Sequence, residues 1–191
     1  MSVRSSILAL LTLGPAYGLQ VHSEIEARTS RLGRINVGQI YATLTRLVEA
    51  GLVEPVSADL DGSVPPGTAV ARLPFYELTT AGRLEAGTWL AGAPEGEPAW
   101  EEMVEHILLA CTLPGADPLR LLGSYRTVWS RSPECTPSEP HDLAESARRQ
   151  LTEAALRWLG EVEQRWMSGT LLTRALSSDR PRRGRRPVAR S

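Results

Sequence analysis

Asn36, Gln39, Thr43 and Arg46 recur at intervals of three and four residues and carry two amides, a hydroxyl and a guanidinium. Such groups donate and accept hydrogen bonds without covalent chemistry. An amide offers a donor and an acceptor side by side, which suits adenine, and a guanidinium forks onto guanine or a phosphate. Ile40, Leu44, Leu47 and Val48 repeat on a second stripe at helical spacing. A segment so divided buries its aliphatic side and turns its hydrogen-bonding side outward. The pattern predicts a helix through Glu49, capped by Asn36 and ended by Gly51. Its geometry is that of a helix laid in the major groove of double-stranded DNA.

Within that helix the expected roles differ. Gln39 is placed to read a base edge. Arg46 lies nearly three turns in, and base contacts come mainly from the N-terminal part of a recognition helix, so Arg46 is expected on a phosphate. Asn36 and Gly38 sit at the helix start, where backbone N–H groups favour anions. Tyr17 and Tyr41 either offer hydroxyls to the DNA backbone or close the corner between two helices by packing, and the two roles are compatible.

The flanking sequence supplies the elements that must hold this helix. Residues Val3 to Leu13 carry Ile7, Leu8 and Leu11 at helical spacing and stop at Gly14-Pro15. A second helix is expected from Tyr17 to about Arg28. Leu52 to Val56 and Val70 to Leu78 read as the two strands of a hairpin, or wing. Its tip is long and is expected to be mobile. Pro74 argues for an edge or bulged strand. Arg72 is the basic residue of that region and is expected to contact DNA. Thr79 caps a fourth helix to about Trp89. Residues 88–98, with Gly92-Ala93-Pro94 and Gly96-Glu97-Pro98, read as a linker. Helices are then expected at about Trp100 to Thr112, Asp117 to Ser130 and His141 to Met167. The loop Ser132 to Pro140 separates the last two.

The expected fold is mainly α. Residues 1–87 form a winged helix-turn-helix with a two-stranded wing. Residues 99–176 form a helical dimerisation and effector-sensing region, and residues 177–191 a disordered Arg-rich tail. That tail is either solvated or a source of sequence-independent attraction to phosphates.

Composition narrows the function. The net charge is −1, so the chain as a whole is no generic polyanion binder. All 21 basic residues are Arg, which excludes a P-loop lysine or a Schiff base. Cys111 and Cys135 have no CxxC spacing, and no apolar run is long enough to span a bilayer. No nucleophile–base pair is recognisable, so no enzyme is expected. His106 and Glu102 share a helix face near Glu105 and Cys111, but no second cluster completes a metal shell. Neither metal nor cofactor is therefore expected, and the location expected is cytoplasmic.

Of the ten aromatic residues five are Trp, and all lie in or beside the C-terminal helical part. Trp100 and Trp158 are candidates for a pocket holding a small planar aromatic effector, with packing in the core as the alternative. The last helix repeats Leu143, Leu151, Trp158, Val162 and Trp166 and is the expected homodimer element. An intramolecular core helix is the other reading. A dimer would set two recognition helices about 34 Å apart, as a palindrome requires.

The first 87 or so residues resemble the PadR family of transcriptional regulators. The resemblance rests on Ile7-Leu8-Ala9-Leu10-Leu11 with Gly14-Pro15, then Tyr17-Gly18. It continues through Ile40-Tyr41, Leu44-Thr45-Arg46-Leu47 and Gly51-Leu52-Val53, and ends with Tyr76-Glu77-Leu78-Thr79 and Gly82-Arg83. Each piece is common; their order and spacing are what mark the family. Ala42 stands where the family usually has Pro. The wing tip is acidic, with Asp59 and Asp61, where a basic turn is usual. The resemblance implies a homodimer that represses its target and releases DNA on binding a small molecule. The rival from another class is a winged helix used as a protein-interaction scaffold. It would need an apolar outer face on the third helix, where Gln39, Thr43 and Arg46 are expected.

Overall fold

The computed structural model describes residues 3–30, 32, 35–56, 74–93, 96, 99–131 and 143–177. Arg72, Cys135 and the tip of the wing lie outside the described residues, as do residues 178–191.

The N-terminal unit is built around α1 (Val3–Leu11), α2 (Gly18–Arg28) and α3 (Val37–Glu49). Helix α1 is apolar along most of its length, and Ile7, Leu8, Ala9, Leu10 and Leu11 are all buried. It is the central helix of the unit, packed against α2, α3 and α4 (Thr80–Ala91). Val21 and Ile25 of α2 and Ile40, Leu44 and Leu47 of α3 close on it. Each of those three side chains on α3 is at most 1% exposed, and each contributes about 1.5–3 kcal/mol by leaving water.

The wing is a pair of antiparallel strands, β2 (Val53–Val56) and β3 (Phe75–Leu78), in the register Val53↔Leu78 to Val56↔Phe75. Pro55 lies in β2, an edge strand, whereas Pro74 immediately precedes β3, which is the central strand; Pro74 therefore marks the strand's entry and not the edge strand expected. A third strand, β1 (Ala16–Tyr17), pairs with the other edge of β3, giving the order β1-β3-β2. It departs from the two-stranded expectation, because two residues carry no alternating pattern.

The turns explain the small residues of this unit. Gly51 follows α3 at φ +68°, the left-handed conformation that ends a helix, and Leu52 N–H donates back to Leu47 O at 3.0 Å. Thr79 accepts from Gly82 N–H at 3.1 Å and donates to Gly51 O at 2.8 Å. A Cβ on Gly82 would stand 2.0 Å from the Leu52 carbonyl oxygen, so only glycine allows α4 to cross the strand entry this closely.

The C-terminal unit has α5 (Trp100–Thr112), α6 (Pro118–Ser130) and α7 (Leu143–Met167). Asp117 caps α6 through Arg120 N–H, with Pro118 in its first turn. Met103, Ile107, Leu121, Leu122, Tyr125 and Trp129 form the core, and Ala155, Leu159 and Val162 of α7 close it. The Trp129 Nε1–H donates to Met103 Sδ at 2.9 Å. His106 stacks on Trp89 with ring centroids 3.7 Å apart and shares a 2.8 Å hydrogen bond with the Tyr125 hydroxyl. Burial holds the His106 pKa down at about 4, so the ring is neutral at pH 7.

Helix α5 joins the two units. Ala9 of α1 packs with Leu109 and Leu113. Ser6 donates to the buried Glu105 at 3.3 Å, and burial pushes that carboxyl above the ordinary value. No helix among the described residues is long and apolar enough to cross a membrane.

Candidate functional site

Helix α3 is held at its start by the Asn36 side chain, whose Oδ1 accepts from Gln39 N–H at 2.8 Å. The cap occupies the side-chain carbonyl oxygen of Asn36 and leaves its NH2 group at the helix start. Gly38, Gln39, Ala42, Thr45, Arg46 and Glu49 are exposed along the outer side. Arg46 is tethered through Nε to Ala42 O at 3.2 Å, which holds the guanidinium along the outer face. Thr45 donates to Tyr41 O at 3.1 Å.

Thr43 differs from its expected place. It is 7% exposed and lies with Ile40, Leu44 and Leu47 on the inner side. Each residue of an α-helix advances about 100°, so Thr43 lies about 40° from Leu47 and about 60° from Arg46. It belongs to the edge of the aliphatic stripe. Thr45 takes the outward hydroxyl position instead, in line with Gly38, Ala42 and Glu49. Strict 3.6-residue spacing from Gly38 leads to it.

The two tyrosines occupy packed positions at the base of this face. Tyr17 is 4% exposed, pairs with Phe75 in the sheet and meets its ring edge-on at 5.5 Å. Tyr41 is half-buried, and its ring lies so close to α2 that a Cβ on Gly18 would be 2.6 Å from Tyr41 Cε1. Gly18 is therefore what lets α2 and α3 meet at this corner. The Tyr17-Gly18 and Ile40-Tyr41 pairs are two sides of one contact.

What this face can do chemically is limited to recognition. Its exposed polar groups are the Gln39 amide, the Thr45 hydroxyl, the Arg46 guanidinium, the helix N-terminus and, at the far end, the Glu49 carboxylate. The Ala42 methyl adds a small apolar patch between them. Donors, acceptors and a methyl-sized contact on one groove-width helix match the edges of base pairs and the phosphates beside them.

In the C-terminal unit Trp100 and Trp158 are half-buried and meet edge to face at 5.6 Å. Both pack against the core of that unit. Of the residues expected on a dimer face, Val162 is buried in the protomer's own core and Trp166 packs beside it. Leu143 and Leu151 are 84% and 41% exposed. With Ala147 and Ala154 they form an exposed apolar stripe over the first three turns of α7. The second half of α7 is fixed to α6 by its buried residues and by the 2.6 Å Arg126–Glu163 ion pair.

A second polar cluster is not visible in the sequence. Arg28, at the end of α2, has a side chain with no exposure, yet all five of its N–H donors are used. Nε donates to Glu24 Oε2 at 2.8 Å, and Nη1 to Thr112 O and Oγ1 at 3.0 and 3.1 Å. Nη2 donates to Arg174 O and Ala175 O at 3.1 and 2.8 Å. Burial lowers the Arg28 pKa and the Glu24 hydrogen bond opposes that shift. Glu24 in turn accepts from Ser177 N–H at 2.7 Å. The Glu24–Arg28 spacing alone reads as a helix pair. Its three distant partners carry no sequence signal.

Comparison with known proteins places these observations. The model of the PadR-like family of transcriptional regulators matches residues 7–88. A search of curated proteins finds no match. Among solved structures the chain is similar to Bacillus subtilis PadR, crystallised in complex with operator DNA. The two are 18% identical, with 89% of this chain and 98% of that one covered and a TM-score of 0.41.

Proposed function

Residues 7–88 belong to the PadR-like family of transcriptional regulators, and from that premise we propose that the outer face of α3 reads double-stranded DNA sequence. The observation that carries this reading is the split of α3. Ile40, Leu44 and Leu47 are sealed into the unit while Gln39, Thr45 and Arg46 stand exposed beside the capped N-terminus. Gln39 reads a base edge, and Arg46 with the helix start holds phosphates. An outer face used to dock another protein would carry large apolar side chains, and here the apolar contribution is one methyl, Ala42.

One such helix buries too little surface to select a site in a genome. The exposed stripe Leu143, Ala147, Leu151 and Ala154 on α7 supports a homodimer, since a second copy of the same stripe would remove it from water. The protein then acts as a repressor on a palindromic operator. The Trp100–Trp158 pair supports an aromatic effector site, because two half-buried indoles edge to face leave ring surface for a planar ligand. An effector there acts by preferring one spacing of the two recognition helices.

Selection of bound duplexes from a randomised pool tests the reading. The expected result is enrichment of a palindrome with half-sites about one helical turn apart. A pool that stays random after repeated rounds contradicts it.

A further inference from the structure

The two units meet at two separated places. One is midway along α5, where Ala9 of α1 packs on Leu109 and Ser6 donates to Glu105. The other is the C-terminal end of α5, where Arg28 donates to Thr112 O and Oγ1. The chain after α7 returns to that second place. Leu171 packs against the core of the C-terminal unit and Leu176 against the core of the N-terminal unit. Between them Arg174 N–H donates to Thr112 O at 2.9 Å, and the Arg174 and Ala175 carbonyls accept from Arg28. Ser177 N–H donates to Glu24, and its carbonyl accepts from Gln20 Nε2 at 3.1 Å. Residues 171–177 are thus a strap laid across the joint and pinned by Arg28.

Apolar contacts resist separation but allow sliding, because burial is non-directional. A guanidinium is planar, and its donors point in fixed directions. With every donor engaged by α2, by the end of α5 or by the strap, one relative placement of the three satisfies them all. A tilt between the units leaves a buried donor or carbonyl without its partner, which costs more than the bond itself contributes. Contacts at Glu105 and at Thr112, about 10 Å apart along the helix, also remove the hinge that a single contact leaves.

Resting on the reading of α3 as the DNA-binding face of a homodimer, we propose that Arg28 is a positioning residue that fixes the distance between the two half-sites the dimer accepts. Arg28 ends α2, and α2 meets α3 at the Gly18–Tyr41 contact. Helix α7 carries the proposed dimer stripe and leads into the strap. The path from reading face to assembly face therefore passes through Arg28. On an arm of about 20 Å, the length of a 13-residue helix, a tilt of about 10° moves the reading face by roughly 3.4 Å, one base-pair step. A clamp that holds the tilt below that value selects one spacing, and a loose joint accepts several.

The test measures affinity for duplexes carrying two enriched half-sites at the best centre-to-centre distance and at one and two base pairs more or less. A duplex with a single half-site is measured beside them. The full chain is compared with Arg28→Lys, whose ammonium keeps a charge beside Glu24 but cannot span both Thr112 and the strap. It is also compared with Leu176→Asp, which unseats the half-buried end of the strap and leaves Arg28 in place. The parent is expected to prefer its best spacing by about tenfold or more, because a wrong distance forfeits the second half-site. Both variants are expected to lose most of that preference. Their affinity for the single half-site, and the penalty for a changed base within it, are expected to stay at parent values. Lost stability alone lowers the active fraction and weakens every duplex equally, so it leaves the spacing profile unmoved. If Arg28→Lys does not fold, Leu176→Asp decides. Folded variants with the parent's spacing profile overturn the proposal and leave the DNA-binding reading standing. A parent that prefers no duplex sinks that reading, a parent that binds two half-sites no better than one sinks the dimer, and the inference falls with either.

Discussion

Helices α3 and α7 leave opposite kinds of surface uncovered. Helix α3 buries Ile40, Leu44 and Leu47 within its own unit, with Val48 half-buried beside them, and leaves amide, hydroxyl and guanidinium groups outside. Helix α7 buries Ala155, Leu159 and Val162 in its second half and leaves Leu143, Ala147, Leu151 and Ala154 exposed in its first. A polar face is content in water and gains from a partner only through hydrogen-bond pattern and charge. An apolar stripe gains from any surface that excludes water, and the same stripe on a second copy is the simplest. On the proposed function the comparison separates a surface for reading from a surface for assembly, and α5 and the Arg28 cluster join the units that carry them.

The sharpest break removes the frame that holds the reading surface. Gly82→Ala places a Cβ against the Leu52 carbonyl, itself engaged with Thr79 N–H. The change is expected to cost about 4 kcal/mol or more, read by denaturant unfolding. A loss below about 1 kcal/mol would mean that α4 slides freely. Arg28→Leu breaks the joint between the two surfaces. It removes the Arg28 donors from Glu24 and from the carbonyls of Thr112, Arg174 and Ala175, of which Glu24 and Thr112 keep one donor each, and is expected to cost about 3–5 kcal/mol. Protease cleavage near residues 170–177 should rise in parallel.

The joint also has a pH signature. His106 is neutral in the folded state, with a pKa near 4 against 6.5 for an unperturbed imidazole. The unfolded chain therefore binds the extra proton first as pH falls below 6.5. Stability from this residue is full above about pH 6.5, declines between 6.5 and 4, and is flat below. The total is roughly 3 kcal/mol. His106→Phe should flatten that part of the pH–stability curve; an unchanged curve would assign the dependence elsewhere.

A milder change acts on the proposed homodimer alone. Leu151→Glu leaves the protomer's core untouched, because that side chain is exposed. It is expected to shift the sedimentation profile from dimer to monomer while the melting temperature at fixed low concentration stays within a few degrees. A dimer that survives Leu151→Glu would mean that the two copies meet elsewhere.

Much of this layout is legible in the sequence because it rests on local pattern. The Asn36 and Thr79 caps, the Gly51 stop and the bounds of α5 and α6 follow from chemistry within a few residues. Long-range features are not legible. Strand β1 exists because β3 has a free edge beside it, and the Arg28 cluster exists because residues 112, 174 and 175 arrive from elsewhere. Thr43 departs from its expected face for a third reason. A four-residue step overshoots the helical turn by about 40°, so the step from Gln39 to Thr43 swings Thr43 toward the aliphatic side.

The central claim is that the outer face of α3 reads base edges, and Gln39→Ala tests it most directly. Affinities of parent and variant for an enriched duplex and for random competitor, at one salt concentration, give the specificity ratio. The account predicts a fall of about 5- to 100-fold, as expected for one bidentate contact, with melting temperature and oligomeric state unchanged. An unaltered ratio would contradict it.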